Sequence, residues 1–270
     1  MSRGTADGGI KATETSIDVV EAVKALGGAR TTEVADELGV AKSTAHKHLK
    51  TLERRGYLTR SAGEYHVGLR FLNLGEFART RWPCYSLVQE AVTDLGERTE
   101  EDVDFCVEEN GRVYTLCEAY HKWEKYHEAQ SGYRVNIGDC YYMHTVASGK
   151  AILATYPEAA VREVVDRWGL PALTERTITD VEALLADLDR TRERGYGLSD
   201  EEYVEGLRTI SRTVSLPDGG VLGALSVSGP AYRMAGAVLE QEIPDALVAA
   251  TESLEEHLAA ADPATVSRDG

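Results

Sequence analysis

Residues 31–60 read TTEVADELGVAKSTAHKHLKTLERRGYLTR. Val34, Ala35 and Leu38 give a short helix an apolar face, with Thr31 or Thr32 as its cap and acidic residues in the following turns. Gly39 stands where a tight turn between helices needs a positive φ, and Val40 follows as a core plug. A second helix opens at Lys42 or Ser43, buries Ala45, Leu49 and Leu52, and stops at Gly56. Helix, glycine turn and helix in this order form a helix-turn-helix.

Working outward, SIDVVEAVKAL (16–26) predicts a preceding helix, capped by Ser16 and ended by Gly27-Gly28, with Ile17, Val20, Val23 and Leu26 near helical spacing. YLTRSAGEYHVG (57–68) predicts a β-hairpin around Ala62-Gly63, the wing. Residues 15–67 are thus expected to be a winged helix-turn-helix domain behind a disordered tail, residues 1–14.

The whole chain of 270 residues carries a formal charge of −16, which is unfavourable for phosphate binding unless positive charge is concentrated somewhere. Residues 41–60 hold Lys42, Lys47, Lys50, Arg54, Arg55 and Arg60 against only Glu53, a local charge of +5. A basic island in an acidic protein marks a partner. A recognition helix sets its N-terminal residues at base edges in the major groove of double-stranded DNA. The candidate DNA-contacting residues are Thr32, Lys42, Ser43, Thr44, His46, Lys47, Lys50, Thr51, Arg54 and Arg60, the last on the wing. His46 and His48 lie at i and i+2 and cannot share a face, so only one meets DNA, and His46 is the better placed. Lysine is scarce, 8 against 21 arginines, while Asp and Glu total 45, a surface suited to a high-salt cytoplasm such as that of a halophile.

GLRFLNLGEFARTR (68–81) places Leu69, Leu72, Leu74 and Phe77 on or near one side. A linker helix over 68–83 that pairs with a second copy explains those apolar residues, and Pro83 marks its boundary. Beyond it, residues 84–262 alternate helix and strand signals. Helices are expected at 85–99, 148–155, 158–168, 180–194 and 233–260, the last bent at Pro244. Strands are expected at 103–107, 112–119, 133–137, 207–216 and 221–228. This order predicts an α+β domain, one antiparallel sheet with helices packed on it, followed by a second tail at 263–270.

Four stretches resemble the IclR family of bacterial and archaeal regulators: STAHKHLKTLERRGYL (43–58), HTVASGKAILA (144–154), RGYGLSDEEYVEGLRTIS (194–211) and GALSVSGPAYRM (223–234). They stand in the family's order, and the resemblance spans residues 15–258. It implies a GAF-like (profilin-like) effector domain and homodimers that often pair into tetramers. It also implies an effector-binding pocket involving Met143, Ala147, Gly149, Ser199, Thr209, Ser226 and Ser228. Gly149 would let a ligand approach the backbone at a helix start, where N–H groups hold a carboxylate. Ser226 and Ser228, at i and i+2 on a strand, share a face. Many members carry an acidic residue where Ser199 stands and a cysteine where Thr209 stands, so the effector here can differ from their short keto acids. The expected effector is an organic, sugar or aromatic acid.

The resemblance implies no cofactor. Enzymatic activity is not expected: no GxSxG elbow is present, and the adjacent acids Asp200, Glu201 and Glu202 diverge on any regular element. Metal binding is an alternative, since Cys106, Cys117, His121, His127, Cys140 and His144 crowd the middle of the chain, although none has CxxC or HxxxH spacing. Another alternative is a sensor that acts through a protein partner. Segment 117–134 is either a lid or a solvated excursion. No apolar run reaches a membrane span and no apolar leader opens the chain, so a cytoplasmic protein without a membrane partner is expected.

Overall fold

The computed structural model describes residues 9–82, 84–119 and 135–261. The chain divides into two compact units, residues 1–80 and 81–270.

The first unit contains α1 (Lys11–Ala25), α2 (Thr31–Glu37), α3 (Lys42–Arg54), the hairpin β1 (Leu58–Ser61) and β2 (Glu64–Val67), and α4 (Arg70–Thr80). Helix α1 begins five residues before the expected Ser16 cap, so residues 11–14 of the expected tail are helical; residues 1–8 lie outside the described residues. Its inward face is Val19, Ala22 and Val23, whereas Ile17 and Leu26 are exposed. Tertiary packing sets this face: Ser16, inside the helix, bonds His48 of α3 at 2.8 Å and fixes the rotation. Neither Thr31 nor Thr32 caps α2. Arg30 takes the cap position, and its N–H donates to the Glu33 carboxylate at 2.6 Å. Gly39 adopts φ +62° in the turn between α2 and α3. Ala62 (φ +50°) and Gly63 (φ +92°) close the hairpin as a two-residue turn whose twist matches the strands. Val19, Val23, Val34, Ala45, Leu49, Leu58 and Tyr65 form the core.

Helix α4 buries none of its residues within this unit. Leu72 is 67% exposed and Phe77 72%. Arg70 anchors the start of α4 by donating to the Arg55 carbonyl, just past the end of α3, at 2.9 Å, with its guanidinium over the Tyr57 ring.

The second unit is built on one antiparallel six-stranded sheet. Its strands are β3 (Asp102–Glu109), β4 (Arg112–Ala119), β5 (Cys140–Tyr142), β6 (Gly197–Asp200), β7 (Leu207–Ser215) and β8 (Val221–Pro230), in the order β5-β4-β3-β8-β7-β6. One face packs on α5 (Tyr85–Thr99) and α9 (Ile243–Ala260) through Val88, Val92, Phe105, Ile210, Leu225, Val227, Leu247 and Leu254. The other face carries α6 (Ala147–Leu153), α7 (Glu158–Trp168) and α8 (Val181–Arg194), with Cys106, Val113, Tyr141, Ile152, Val161, Leu184 and Ala224 between them. Asp180 caps α8 by accepting from the Ala183 N–H at 2.9 Å.

Three expectations change. Residues 135–137 of the expected strand at 133–137 are not strand, and 133–134 lie outside the described residues; the pairing strand is β5, which crosses Tyr142 to Arg112. Edge strand β6 was not expected, because GLSD contains too few strand-formers; it is held by its register on β7, Ser199 opposite Thr209. The last helix does not run unbroken from Arg233. A five-residue π-helical stretch, Val238–Glu242, precedes α9, and Pro244 opens α9 in its first turn, where its missing N–H costs nothing.

Candidate nucleic-acid interface and effector cleft

Burial of Ala45 and Leu49 fixes how α3 is rotated. The opposite side presents Lys42, Ser43, His46, Lys47, Lys50, Thr51 and Arg54 to solvent, with Thr44 half-buried. Thr32 and the wing residue Arg60 are also exposed. The groups differ in what they have left to offer. Lys50 pairs with Glu53 at 2.7 Å, Thr51 donates its hydroxyl to the Lys47 carbonyl at 2.8 Å, and Arg60 lies over the Tyr65 ring. His48 is half-buried on Ser16, whereas His46 is exposed. A convex strip of cations, hydroxyls and one imidazole on a rigid helix is suited to phosphates and base edges.

The second candidate site is a small cleft of about 30 Å³ on the α6 side of the sheet. Ser199, Thr209, Ser226 and Ser228 come together there from β6, β7 and β8. Thr209 and Ser228 share a hydrogen bond of 2.9 Å across paired strands, Ser226 donates to Ser211 at 3.1 Å, and Ser199 donates to the Thr145 carbonyl at 3.0 Å. Met143, Ala147 and Gly149 do not line it. Met143 and Ala147 are buried. A methyl on Gly149 would overlap the Met143 carbonyl oxygen, and one on Gly197 the Ala147 carbonyl oxygen. Gly149 therefore serves close packing of backbone on backbone.

Sequence reasoning missed the other polar and aromatic residues of the cleft, Asp104, Cys106, Tyr141, Ser148 and Tyr203, and its aliphatic rim of Val135, Val146 and Leu207. Asp104 lies opposite Ser226 in the β3–β8 register, so both point to the same face. Burial pushes its carboxyl up from 3.8 to about 6, against the opposing hydrogen bonds of Cys106 and Ser226. Burial also raises the Cys106 thiol, which stays protonated and donates to Asp104 at 3.2 Å. Tyr141 and Tyr203 meet edge to face at 5.2 Å and supply the aromatic wall.

A raised carboxyl binds its proton more tightly in the folded state than in the unfolded chain, so stability is lost as pH rises from about 3.8 to about 6. At about 1.4 kcal/mol per unit, the loss is on the order of 2–3 kcal/mol above pH 6. Asp104→Asn is expected to recover most of it at pH 7.5 and almost none at pH 4, measured by denaturant unfolding. An equal effect at both pH values would refute the assignment.

Behind the cleft wall, Lys150 of α6 is 1% exposed and places Nζ 2.7 Å from Glu202 and 2.9 Å from Asp187. Burial holds the Glu202 carboxyl above its ordinary value despite the lysine. For Asp187 burial acts the same way, but Lys150, Arg194 and Arg190 outweigh it and the carboxyl is lowered. Of the three acids 200–202, the first two share Arg176 and only the third turns inward, so the expected divergence holds for Glu202 alone. Asp200 pairs with Arg176 and Arg208, Glu201 pairs with Arg176 and accepts from the Gly206 N–H, and Glu202 goes to Lys150.

Among the described residues no group of three or more His, Cys, Asp or Glu is placed to hold a metal ion. His144 is buried, its pKa lowered by that burial, and Nε2 lies 3.2 Å from the Pro171 carbonyl. His121 and His127, with most of segment 117–134, lie outside the described residues.

Comparison with known proteins matches residues 13–62 to the IclR helix-turn-helix domain and residues 80–256 to the bacterial transcriptional regulator IclR C-terminal family. The chain is 26% identical to the probable HTH-type transcriptional regulator ArcR of Halobacterium salinarum, over 90% of this chain and 92% of that protein. It is 30% identical to the HTH-type transcriptional regulator KdgR of Escherichia coli, over 78% and 79% respectively. In fold it is similar to an IclR homolog from Microbacterium hydrocarbonoxydans crystallised with 4-hydroxybenzoate, with a TM-score of 0.72, 22% identity, and coverage of 93% of this chain and 100% of that one.

Proposed function

The chain belongs to the IclR family of DNA-binding transcriptional regulators with a C-terminal ligand-binding domain, and from that premise we propose that a small polar metabolite in the cleft controls its affinity for an operator. The observation that carries this reading is the polar cleft itself: hydroxyls from three adjacent strands converge on one face beside an aromatic wall. The ligand changes DNA affinity only by the difference in its own affinity for the two arrangements of the protein.

The DNA-contacting surface is α3 with the wing, Lys42, Ser43, His46 and Lys47 at base edges and Lys50, Thr51, Arg54 and Arg60 at phosphates. The exposed Leu69, Leu72, Leu74 and Phe77 support pairing of α4 with a second copy, giving a homodimer or a tetramer of such pairs. No helix among the described residues is long and apolar enough to cross a membrane, and the protein acts where its DNA lies, in the cytoplasm.

Selection of random duplexes by the purified chain is expected to enrich a two-fold symmetric sequence, its half-sites one helical turn or a multiple apart. Enrichment of an asymmetric single site would remove the paired arrangement, and no enrichment would remove the operator reading.

A further inference from the structure

Two cross-strand rows run along the sheet beneath the cleft, and all their members but Ser211 line it. In one, Asp104 of β3 stands opposite Ser226 of β8, which stands opposite Ser211 of β7. In the other, Ser228 of β8 stands opposite Thr209 of β7, which stands opposite Ser199 of β6. Directly paired residues point to the same face, so this is a field of hydroxyls with carboxylates at its β3 end, the buried Asp104 opposite Ser226 and the more exposed Asp102 opposite Ser228.

The hydroxyls are amphoteric and can turn to suit a donor or an acceptor. Asp104 cannot. Ionised, it only accepts, and within the protein it draws on a thiol, a weak donor, and on the Ser226 hydroxyl, whose single proton is also claimed by Ser211. A buried carboxylate with weak donors is poorly solvated and gains most from an N–H or O–H brought by a ligand. A ligand carboxylate at the same place meets like charge in a low-dielectric setting. Lys150, the cation of the adjoining helix α6, is committed to Asp187 and Glu202. Helix α6 spans seven residues, too short for its N-terminus to hold an anion unaided.

Building on the cleft reading above, we propose that Asp104 is the specificity-determining residue of the cleft, and that the effector's head group is an alcohol or an amine that donates hydrogen bonds to it, not a carboxylate. This departs from the acid expected by resemblance. The carbon skeleton lies against Tyr141 and Tyr203, and the remaining polar groups of the ligand are read by Ser199, Thr209, Ser226 and Ser228.

The test uses the full-length protein and a panel of matched triplets: pentose, hexose and benzyl skeletons, each as the alcohol, the amine and the carboxylate. Thermal shift finds binders, and calorimetry measures them. Alcohols or amines are expected to bind in preference to their acids. Asp104→Asn should weaken alcohols about tenfold and amines about a hundredfold, because the bond to a charged partner is the stronger, which tells the two sources apart. Asp104→Ser provides the same comparison with a smaller side chain should the asparagine variant fold poorly. Carboxylates that bind as tightly as their alcohols, or binders indifferent to both variants, would overturn the proposal. Ser199→Trp, which fills the cleft, separates this from the wider reading. If a carboxylate binds and Ser199→Trp abolishes it, the cleft is the effector site and only the head-group assignment is wrong. If Ser199→Trp changes nothing, or no compound binds, the cleft reading falls and the proposal with it.

Discussion

Lys150→Met is expected to destabilise the C-terminal unit by about 3–5 kcal/mol, because it leaves two buried carboxylates with their shared cation gone. For a unit of this size that is a fall in Tm of about 10 °C or more. The penalty is electrostatic. Methionine has a similar length and volume, so cavity formation contributes little. Glu202 loses its ammonium partner and Asp187 keeps only the arginines Arg190 and Arg194. Protonating the acids should therefore rescue the variant, and the difference from the parent protein should shrink toward pH 4. The triple replacement Lys150→Met, Asp187→Leu, Glu202→Leu should recover most of the loss, since a buried ion network exchanged as a whole for apolar groups is often neutral. Thermal unfolding of the three proteins at pH 7.5 checks the prediction. A loss below 1 kcal/mol in the single variant would show that the lysine is not the network's keystone.

Lys47→Glu is expected to weaken operator binding by two to three orders of magnitude at fixed salt. Lys47 is exposed on the outward side of α3, so the change leaves the core untouched. Losing one phosphate or guanine contact costs about 1–3 kcal/mol, and the new carboxylate adds repulsion of similar size. Lys47→Gln, which removes the contact without the repulsion, should fall between, near tenfold. The slope of log K against log salt should decrease by about 1 in the glutamine variant, counting one phosphate fewer. Fluorescence anisotropy across a salt series measures both. Unchanged binding by Lys47→Glu would place the DNA surface elsewhere. Because the chain outside residues 41–60 is strongly acidic, few other cations can compensate, and the loss should not be recovered at lower salt.

The helix-turn-helix was legible because its signals are local. Gly39 marks the turn, Ala45 and Leu49 give the period, and Ala62-Gly63 closes the wing. The sheet was legible where strands are long and apolar, as in β8, and illegible in β6, whose four residues are strand only because β7 pairs with them. The cleft divides along the same line. Ser226 and Ser228 could be placed on one face from their spacing alone. Asp104 reaches them through a register set between residues more than a hundred positions apart. The only local signal was Asp102 and Asp104 alternating within the apolar strand DVDFCV. The partnership of Lys150 with Glu202 spans 52 residues and leaves no periodic trace. Gly149 warns in the other direction: its motif was legible, but the reason for it was packing.

That packing has an evolutionary consequence. Gly149 and Gly197 leave no room for one added methyl against the Met143 and Ala147 backbones, so these two positions of the wall admit only glycine. The facing sheet holds its hydroxyls and carboxylates on separate side chains rather than on the backbone. Descendants of this scaffold can therefore drift toward new metabolites by substituting one floor residue at a time, while the stiff wall preserves the fold through every intermediate.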